Sequence, residues 1–215
     1  MKVTVIDYGL SNLRSVQNAF AHCGAETLLT SSPADVQNAE ALVLPGVGAF
    51  RDGMAGLAAL GLVEPIRQKV AEGTSLLGIC LGMQMLFEES EEFGCYAGLG
   101  LIPGRVVKIP GTDVHGAPQK VPHIRWDPLF PAGGRTDFAG TILADVEPGQ
   151  ECYFIHSYEA KPTAPADRLA DTRYGGRDVC AVAAHGSVVG CQFHPEKSGP
   201  VGLSIVSQFL NICQK

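Results

Sequence analysis

Hydrophobic residues in the first half of the chain follow two patterns in alternation. Short continuous apolar runs, typical of buried strands, alternate with stretches in which apolar residues recur every three or four positions, as on one face of a helix. The first helical stretch carries Leu13, Val16 and Phe20, with Ser11 as its predicted N-cap and Gly24 as its end. Strands that alternate with helices predict an α/β fold with a parallel, doubly wound sheet. The predicted strands are residues 2–7, 26–29, 41–44 and 75–79, and further helices are predicted to begin near Pro33 and Val63.

The pattern changes near residue 100, where helical spacing fades and short strand-like runs follow one another. The two runs that flank His185-Gly186 are predicted to form a hairpin, and residues 110–134, rich in Pro and Gly, are predicted to be mostly loop. A last helix carries Val206, Phe209 and Leu210 on one face. We therefore predict a single domain, residues 1–215, with a mostly parallel central sheet and antiparallel C-terminal additions. These predicted additional strands are residues 104–109, 141–146, 152–158, 179–183 and 188–193.

Composition excludes several classes of protein. The chain has 46% apolar and 18% charged residues, as in a compact α/β enzyme, and its net charge of −6 comes with no basic cluster for nucleic acid or an anionic membrane. Its seven cysteines are odd in number and lack CxxC spacing, so we expect neither a disulfide framework nor structural zinc. The first predicted strand begins at residue 2 and no apolar run reaches ~18 residues, so we expect neither a signal peptide nor a membrane span. We expect a cytoplasmic protein without a metal or cofactor.

One turn made of small residues is the strongest candidate for chemistry. Gly78-Ile79-Cys80-Leu81-Gly82 follows a predicted buried strand and precedes residues 83–89, which are rich in helix formers. A nucleophile at the apex of a strand–turn–helix is a nucleophile elbow, here with Cys in place of Ser. The flanking glycines allow strand and helix to approach closely, and a helix N-terminus favours the reactive thiolate. The other interpretation is an inert, buried Cys that fills the end of a strand.

The sequence also offers a base for this nucleophile. His194-Pro195-Glu196 lies at the end of the last apolar strand, at the sheet edge where Cys80 is expected. If this segment is extended, residues 194 and 196 point the same way, so the Glu196 carboxylate can orient the imidazole of His194. Cys80, His194 and Glu196 are therefore a candidate triad, although the segment alone could be a strand-terminating turn with solvated side chains. The other histidines, which show no convincing metal-ligand spacing, are His22, His115, His123, His156 and His185.

A second glycine-rich loop, Pro45-Gly46-Val47-Gly48, follows the third predicted strand and reaches the same sheet edge. It lacks the Lys and the Ser/Thr of a P-loop. Its backbone N–H groups, those of Val47 and Gly48, are candidates for an oxyanion hole together with the N–H of Leu81. The alternative is a tight turn after a buried strand.

Taken together, these motifs resemble a known family. The segment from Gly78 to Gln84, with His194-Pro195-Glu196 near the end of the chain, is similar to the triad-type, class I glutamine amidotransferases. A narrower resemblance, to the glutaminase subunit of imidazole glycerol phosphate synthase, runs over nearly the whole chain. It rests on Asp7-Tyr8-Gly9 followed by Asn12-Leu13, on Leu44-Pro45-Gly46-Val47-Gly48-Ala49-Phe50, on Gly98-Leu99-Gly100-Leu101, on Pro122-His123, on Tyr153-Phe154-Ile155-His156-Ser157-Tyr158, and on His194-Pro195-Glu196-Lys197-Ser198.

The resemblance implies a flavodoxin-like, class I glutamine amidotransferase-like fold and a chemistry. Glutamine would be hydrolysed through a thioester on Cys80, which releases glutamate and ammonia. His194 would act as general base and acid, and Glu196 would orient it. Gln84 and Glu92 align with the positions that hold the polar ends of the substrate.

The resemblance also implies a partner. Ammonia would pass to a separate (β/α)₈-barrel cyclase subunit, and the heterodimer would form imidazole glycerol phosphate and aminoimidazole carboxamide ribonucleotide in histidine biosynthesis. One residue departs from the family pattern: Arg125 stands where the family usually has Gly. The predicted docking face carries Pro122, His123, Arg125, Trp126, Lys197 and Ser198.

Three alternatives stay open from the sequence. A paralogous glutaminase subunit could feed a different synthase, such as one that aminates a sugar, and Arg125 is the feature that points this way. A catalytically silent binding module could use the same fold, although the intact set of Cys80, His194 and Glu196 argues against it. A small cysteine hydrolase of similar topology would act alone and would need neither Gln84 nor a docking face.

Overall fold

The structure, a computed structural model, describes residues 1–10 and 12–214. The described helices are α1 (Leu13–His22), α2 (Pro33–Gln37), α3 (Phe50–Ala59), α4 (Val63–Ala71), α5 (Leu81–Met85) and α6 (Gly199–Ile212). The described strands are β1 (Lys2–Ile6), β2 (Glu26–Thr30), β3 (Ala41–Gly46), β4 (Ser75–Cys80), β5 (Phe87–Ser90), β6 (Tyr96–Ala97), β7 (Ile102–Lys108), β8 (His123–Pro128), β9 (Phe130–Pro131), β10 (Glu151–His156), β11 (Tyr158–Pro162), β12 (Arg168–Tyr174), β13 (Arg177–His185) and β14 (Val188–Cys191).

An eight-stranded sheet forms the centre of the fold, in the order β2-β1-β3-β4-β14-β13-β12-β9. Neighbouring strands from β2 to β14 are parallel, and β13, β12 and β9 continue the sheet in antiparallel pairs. The predicted doubly wound α/β fold with a mostly parallel sheet is therefore confirmed, and so is the hairpin of β13 and β14. The C-terminal edges of β3 and β4 meet where Gly46 pairs with Cys80, which brings the two glycine-rich loops together.

Apolar residues on the two faces of this sheet form two cores. On β3, Val43 faces the layer of α1 and α6, whereas Leu42 and Leu44 face the layer of α2 to α5. This alternation follows from the two-residue period of a strand. The first layer packs Val16, Phe20, Phe209 and Leu210 against the sheet, and the second packs Val36, Leu57 and Ile66.

Several predicted helix ends are found where the sequence places them. Gly24 and Gly73 follow α1 and α4 with φ of 82° and 92°, a conformation that glycine adopts without strain. Pro33 is the first residue of α2, as predicted. The predicted N-cap Ser11 lies outside the described residues. No described helix is long and apolar enough to cross a membrane.

Helix α3 has no counterpart among the predicted elements. Gly53 and Gly56 lie inside it and weaken its helical pattern, since glycine is a poor helix former. Their role is in packing: a Cβ at Gly53 would lie 2.7 Å from the sulfur of Met85, and one at Gly56 would lie 2.8 Å from the carbonyl oxygen of Tyr8. Helix α3 can therefore lie directly against α5, which contains Met85, and against the loop after β1, which contains Tyr8.

Two further predictions of local structure are wrong. Residues 141–146 form turns, because the hydroxyl of Thr141 bonds to the Phe138 carbonyl and to the Leu143 N–H in place of a strand partner. The helix predicted over residues 83–89 ends at Met85, because Phe87 pairs with Ile102 in β7. In contrast, residues 110–134 are mostly loop, as predicted, and the two strands they contain, β8 and β9, pair with β10 and β12.

The strands between residues 87 and 162 are also not all additions to the central sheet. Apart from β9, which extends the central sheet, they form a four-stranded sheet, β11-β7-β5-β6, and a two-stranded antiparallel ribbon of β8 and β10. The ribbon and the first residues of β11 line the cavity above Cys80. This part of the chain therefore supplies one wall of the site and the surface beside it.

Candidate active site

Cys80 is the apex of a strained turn between β4 and α5. Its φ of 54° and ψ of −110° lie where a non-glycine residue is rarely found, as the elbow geometry requires. A Cβ at Gly82 would overlap the Leu44 carbonyl oxygen, and one at Gly78 would lie 2.8 Å from the Gly82 carbonyl oxygen. The two glycines therefore permit the close contacts that hold the turn. The Cys80 side chain is not pushed far into solvent, since the residue is only 7% exposed.

The structure brings the three predicted triad residues together. His194 follows β14, and its Nδ1 lies 2.7 Å from Glu196 Oε1, while the side chains of both residues are 3% exposed. Cys80 and His194 line the same cavity, and the free ring nitrogen of His194 is Nε2, because Nδ1 is already taken by Glu196. The contact does not arise from an extended segment, since Pro195–Lys197 is a single turn of 3₁₀ helix.

Charge and burial compete at His194. Burial alone would lower its pKa, but the interactions with Cys80 and Glu196 outweigh burial and raise the pKa to about 10. The imidazole therefore holds a proton at neutral pH and faces the sulfur as a cation. A histidine in this state stabilises a thiolate and can later donate its proton to a leaving group.

A cavity of about 280 Å³ opens above Cys80. Gln84 and Glu92, the predicted substrate-binding residues, both line it, together with the predicted oxyanion residues Val47, Gly48 and Leu81. The Glu92 carboxylate accepts a hydrogen bond of 2.7 Å from the N–H of Phe50, which fixes its position at the cavity wall. Other lining residues are Pro122, Ile155, His156, Ser157, Tyr158 and His194.

The loop that follows β3 is in a defined conformation. The N–H of Val47 donates to the Leu10 carbonyl over 2.9 Å, so this donor is engaged away from an oxyanion. Gly48 has a φ of 108°, and nothing lies within 4 Å of the place where its Cβ would be. A side chain at residue 48 would therefore strain the backbone without a steric clash.

Gln192 is a buried site residue that sequence reasoning missed. It is fully buried, and its Nε2 lies 3.8 Å from Cys80 Sγ, while its Oε1 accepts a 3.0 Å hydrogen bond from Gln84 Nε2. The available signal was its place two residues before His194, on the same side of an extended chain. Tyr8, which belongs to the Asp7-Tyr8-Gly9 motif, has its hydroxyl buried beside Gly46 without a described partner.

A second group of buried polar side chains lies behind the cavity wall. His156 Nδ1 is 2.8 Å from the Tyr158 carbonyl oxygen, His156 Nε2 is 3.0 Å from His123 Nδ1, and His123 Nε2 is 2.6 Å from Asp127 Oδ2. The other oxygen of Asp127 pairs with Arg125 Nε at 2.8 Å. We call this chain, from Arg125 through Asp127 and His123 to His156, the ribbon network.

Burial prevails over the other influences on pKa at the histidines of the ribbon network. It lowers the pKa of His156 to about 3 and that of His123 to about 4, and it raises the pKa of Asp127. A carbonyl oxygen can only accept, so His156 carries its proton on Nδ1 and accepts at Nε2. His156 and His194 therefore line the same cavity in different charge states: His156 is neutral, and His194 is a cation.

The predicted docking residues divide into exposed and buried ones. Pro122, Arg125, Trp126 and Lys197 are exposed. His123 is fully buried, and Ser198 is 1% exposed because its hydroxyl donates to the His194 carbonyl and accepts from the Tyr153 N–H. Neither of the two buried side chains can contact a docked partner in this conformation, so their place on the docking face is corrected. The ribbon instead presents apolar side chains beside the cavity, namely Ile124, Trp126 and Ile155.

Comparisons with known proteins decide the family. The sequence model of the family "Glutamine amidotransferase class-I" matches residues 4–213. The chain belongs to the class I glutamine amidotransferase family. It is 50% identical over 210 residues to imidazole glycerol phosphate synthase subunit HisH 1 of Legionella pneumophila (strain Lens), a match that covers 98% of this chain and 99% of that one. It is 47% identical over 208 residues to subunit HisH of Geobacter metallireducens, a match that covers 96% of each chain.

These relatives confirm the narrower resemblance to the HisH glutaminase subunits of imidazole glycerol phosphate synthase. Subunit HisH of Geobacillus kaustophilus is a further match, 47% identical over 98% of this chain and 96% of its own length. Solved structures agree on the fold. A crystal structure of a glutamine amidotransferase aligns with a TM-score of 0.73 at 18% identity over 99% of both chains. The structure of PurLQS from Thermotoga maritima aligns with a TM-score of 0.72 at 19% identity over 98% of both chains.

Proposed function

We propose that this chain hydrolyses glutamine through a thioester on Cys80 and delivers the ammonia to a cyclase subunit of imidazole glycerol phosphate synthase, in histidine biosynthesis. The observation that carries the proposal is the convergence of the strained Cys80 elbow and the Glu196-bonded imidazole of His194 on one cavity. The assignment to histidine biosynthesis is supported by the HisH relatives, which match over nearly their whole length. The cyclase partner and the single-domain organisation of residues 1–215 belong to the same proposal.

The geometry supports a two-step reaction. The Cys80 thiolate adds to the amide carbon of glutamine, and the tetrahedral oxyanion then collapses as the C–N bond breaks. The proton on His194 Nε2 passes to the departing nitrogen, so ammonia leaves and a glutamyl thioester remains. His194 then takes a proton from water, which attacks the thioester and releases glutamate and the thiolate. Glu196, through Nδ1, holds the imidazole in the orientation that both steps require.

The oxyanion hole is incomplete in this conformation. The N–H of Leu81 follows the nucleophile directly, as the first donor of an elbow enzyme does. The N–H of Val47 is bonded to Leu10 instead of the cavity. If the Gly46–Val47 peptide turned over, this N–H would be free to stabilise the oxyanion, and loss of one such donor lowers kcat by roughly 10²–10³. We propose that the partner favours the turned state and thereby couples ammonia release to its own reaction.

The partner surface follows from the ribbon and the cavity mouth. Ile124, Trp126 and Ile155 expose 51%, 47% and 39% of their surfaces beside residues that line the cavity. Exposed apolar groups of this size at the opening of a site fit a protein interface. Pro122 and Lys197 complete this surface, and ammonia released at Cys80 would leave the chain beneath the docked partner.

A second candidate function has one observation in its favour. Arg125 is 59% exposed in its side chain and pairs with the buried Asp127. A cation at this place alters the charge that a partner meets, so a paralogous synthase, for example one that aminates a sugar, is the alternative recipient of ammonia. The chemistry at Cys80 would be the same in both cases.

The test measures glutamate release by the isolated subunit, by its complex with the histidine-pathway cyclase, and by the complex with the ligand of the cyclase. We expect almost no release by the subunit alone and strong stimulation in the liganded complex. Gly48→Ala, which strains the loop without a clash, should remove the stimulation and leave docking intact. Equal rates in all three preparations would refute the coupling and favour a stand-alone hydrolase, and absence of docking would favour the paralogous synthase.

The same preparations test whether this chain acts only as a source of ammonia. A cyclase supplied with a high concentration of ammonium salt at alkaline pH should turn over without this subunit. If the cyclase still required the subunit under those conditions, the role of the chain would extend beyond ammonia supply.

A further inference from the structure

Two glutamine side chains and one carbonyl form a chain of hydrogen bonds behind the nucleophile. Gln84 Nε2 donates to the Tyr158 carbonyl over 3.1 Å and to Gln192 Oε1 over 3.0 Å, and Gln192 Nε2 lies 3.8 Å from Cys80 Sγ. Gln192 is fully buried and Gln84 is 5% exposed. The backbone N–H of Gln192 bonds to the Ala181 carbonyl, which continues the pairing of β14 with β13 and fixes where this side chain begins.

The direction of each amide in this chain follows from its end. A backbone carbonyl cannot donate, so Gln84 must turn its NH₂ group toward Tyr158. The second N–H of that NH₂ group needs an acceptor, so Gln192 must turn its oxygen toward Gln84. The NH₂ group of Gln192 is then directed at the sulfur of Cys80, and the Tyr158 carbonyl determines this orientation through two side chains.

The groups around the sulfur treat the thiol and the thiolate differently. The Ile155 carbonyl, 3.9 Å from Sγ, can accept a hydrogen bond from the thiol but offers nothing to the thiolate. An N–H donor has the opposite preference, because hydrogen bonds to an ionised acceptor are the stronger ones. The NH₂ group of Gln192 therefore offsets the preference of the Ile155 carbonyl for the thiol.

We propose that Gln192 stabilises the thiolate of Cys80 through Nε2 and positions Gln84 through Oε1. The proposal rests on the proposed function, because it assigns Cys80 as the nucleophile. Both N–H groups of Gln84 are used within the protein, so only its carbonyl oxygen remains for glutamine. Gln84 thus accepts a hydrogen bond from an N–H of the substrate and donates none.

Two substitutions separate the two contacts. Gln192→Glu has nearly the same shape and keeps an oxygen acceptor for Gln84, but it replaces the donor to the sulfur by a carboxylate. Gln192→Met fills similar space and removes both contacts. Gln17→Glu, a change of the same type at a partly buried residue of α1, is the matched control.

The primary readout is alkylation of Cys80 by iodoacetamide, followed by mass spectrometry of its peptide from about pH 5 to about pH 9, where thiolates form. For Gln192→Glu we expect the half-maximal rate to move to higher pH by about one unit or more, and kcat for glutamate release in the liganded complex to fall about tenfold or more. KM for glutamine should be unchanged. Gln192→Met should shift the alkylation midpoint less and should raise KM, because Gln84 is released.

The outcomes distinguish this proposal from the function on which it rests. Alkylation midpoints of both Gln192 variants equal to those of wild type and Gln17→Glu, in proteins with native circular dichroism, would overturn the proposal even if glutamate release were normal. A shifted midpoint in a protein whose wild type releases no glutamate would support the role of Gln192 and refute the proposed function. If Gln192→Glu does not fold, the midpoint and KM of Gln192→Met decide.

Discussion

His194 and His156 line the same cavity, yet one imidazole is a cation and the other is neutral. Both are buried, so burial alone disfavours the charged form of each. His194 interacts with a thiol and a carboxylate, which raise its pKa to about 10. His156 contacts a backbone carbonyl and another imidazole, and its pKa falls to about 3. The difference teaches that the partners of a buried histidine, and not its burial, decide whether it can hold a proton for chemistry.

The same difference separates the chemical and the structural parts of the site. The groups that raise the pKa of His194, Cys80 and Glu196, each carry or can carry a negative charge. Cys80 also has the strained backbone of the elbow. In the ribbon network, Asp127 forms an ion pair with Arg125 and lies between Arg125 and the two histidines. We therefore expect changes at the first group to alter the rate and changes at the second to alter stability and docking.

The largest effect is expected for Cys80→Ala. The variant should lose glutamate release completely, since no other group at the elbow can form the thioester, while the fold and docking persist. The pKa of His194 should fall from about 10, because the interaction with Cys80 raises it. Glutamate release and an NMR titration of His194 check the two results. Cys80→Ser should also be inactive, and normal hydrolysis by either variant would remove Cys80 from the proposed mechanism.

Glu196→Gln should have the next largest effect. It keeps the shape of the side chain but removes the negative charge that holds the imidazole of His194. Loss of the acidic member of a triad lowers kcat by roughly 10⁴ in a related arrangement, and we expect a fall of about 10²–10⁴ here. Steady-state kinetics of the liganded complex give the result. The neutral change Asp127→Asn, which sits in the ribbon network, is the control and should lower kcat far less.

The two histidines also predict opposite pH limbs of stability. His156 has a folded pKa of about 3, below the ~6.5 of an unfolded histidine, so the unfolded state binds more protons and stability falls as the pH drops below about 6.5. His194 has a folded pKa of about 10, so its contribution is complete below about 6.5 and is lost as the pH rises toward 10.

Urea unfolding across this pH range measures both limbs. His156→Gln should change the acid limb alone and should reduce its slope without removing it, since His123, with a pKa of about 4, also contributes to that limb. Cys80→Ala, which lowers the pKa of His194, should reduce the slope of the alkaline limb alone. Each limb corresponds to about 1.4 kcal/mol per pH unit for one proton. If either variant changed both limbs equally, the separation of the two groups would be contradicted.

The smallest effect on chemistry is expected for Arg125→Gly. The Arg125 side chain is 59% exposed, so its ion pair with Asp127 is partly screened by solvent. Glutamate release by a saturated complex should change by less than about tenfold, while docking to the partner should become less dependent on salt. Binding rates at two salt concentrations give the answer. A loss of kcat as large as that of Glu196→Gln would place the ribbon network within the chemistry.

The elbow could be predicted because its requirements are local. Cys80 needs glycine neighbours where backbone atoms meet, and those glycines stand beside it in the sequence. The position of His194 followed from its place after the last parallel strand. In contrast, Gln192 bonds to Gln84 across 108 positions, and His123 bonds to His156 across 33, so no local pattern reveals either contact.

At several positions, contacts with distant parts of the chain determine the secondary structure, although the local sequence favours a different one. Phe87 continues a run of good helix formers, yet it pairs with Ile102 in a strand. Gly53 and Gly56 weaken the pattern of α3, yet their lack of a side chain lets this helix pack against Met85 and Tyr8. Local propensity is a weak guide where packing across the fold is this close.

The most direct test of the account is to trap the glutamyl thioester. The liganded complex is mixed with isotopically labelled glutamine, quenched in acid within one turnover and digested, and the label is located by mass spectrometry. The account predicts labelled glutamyl on Cys80 alone among the seven cysteines, with none in Cys80→Ala and accumulation in a variant slow in the second step. Steady glutamate release with an unlabelled Cys80, or label on another cysteine, would contradict it.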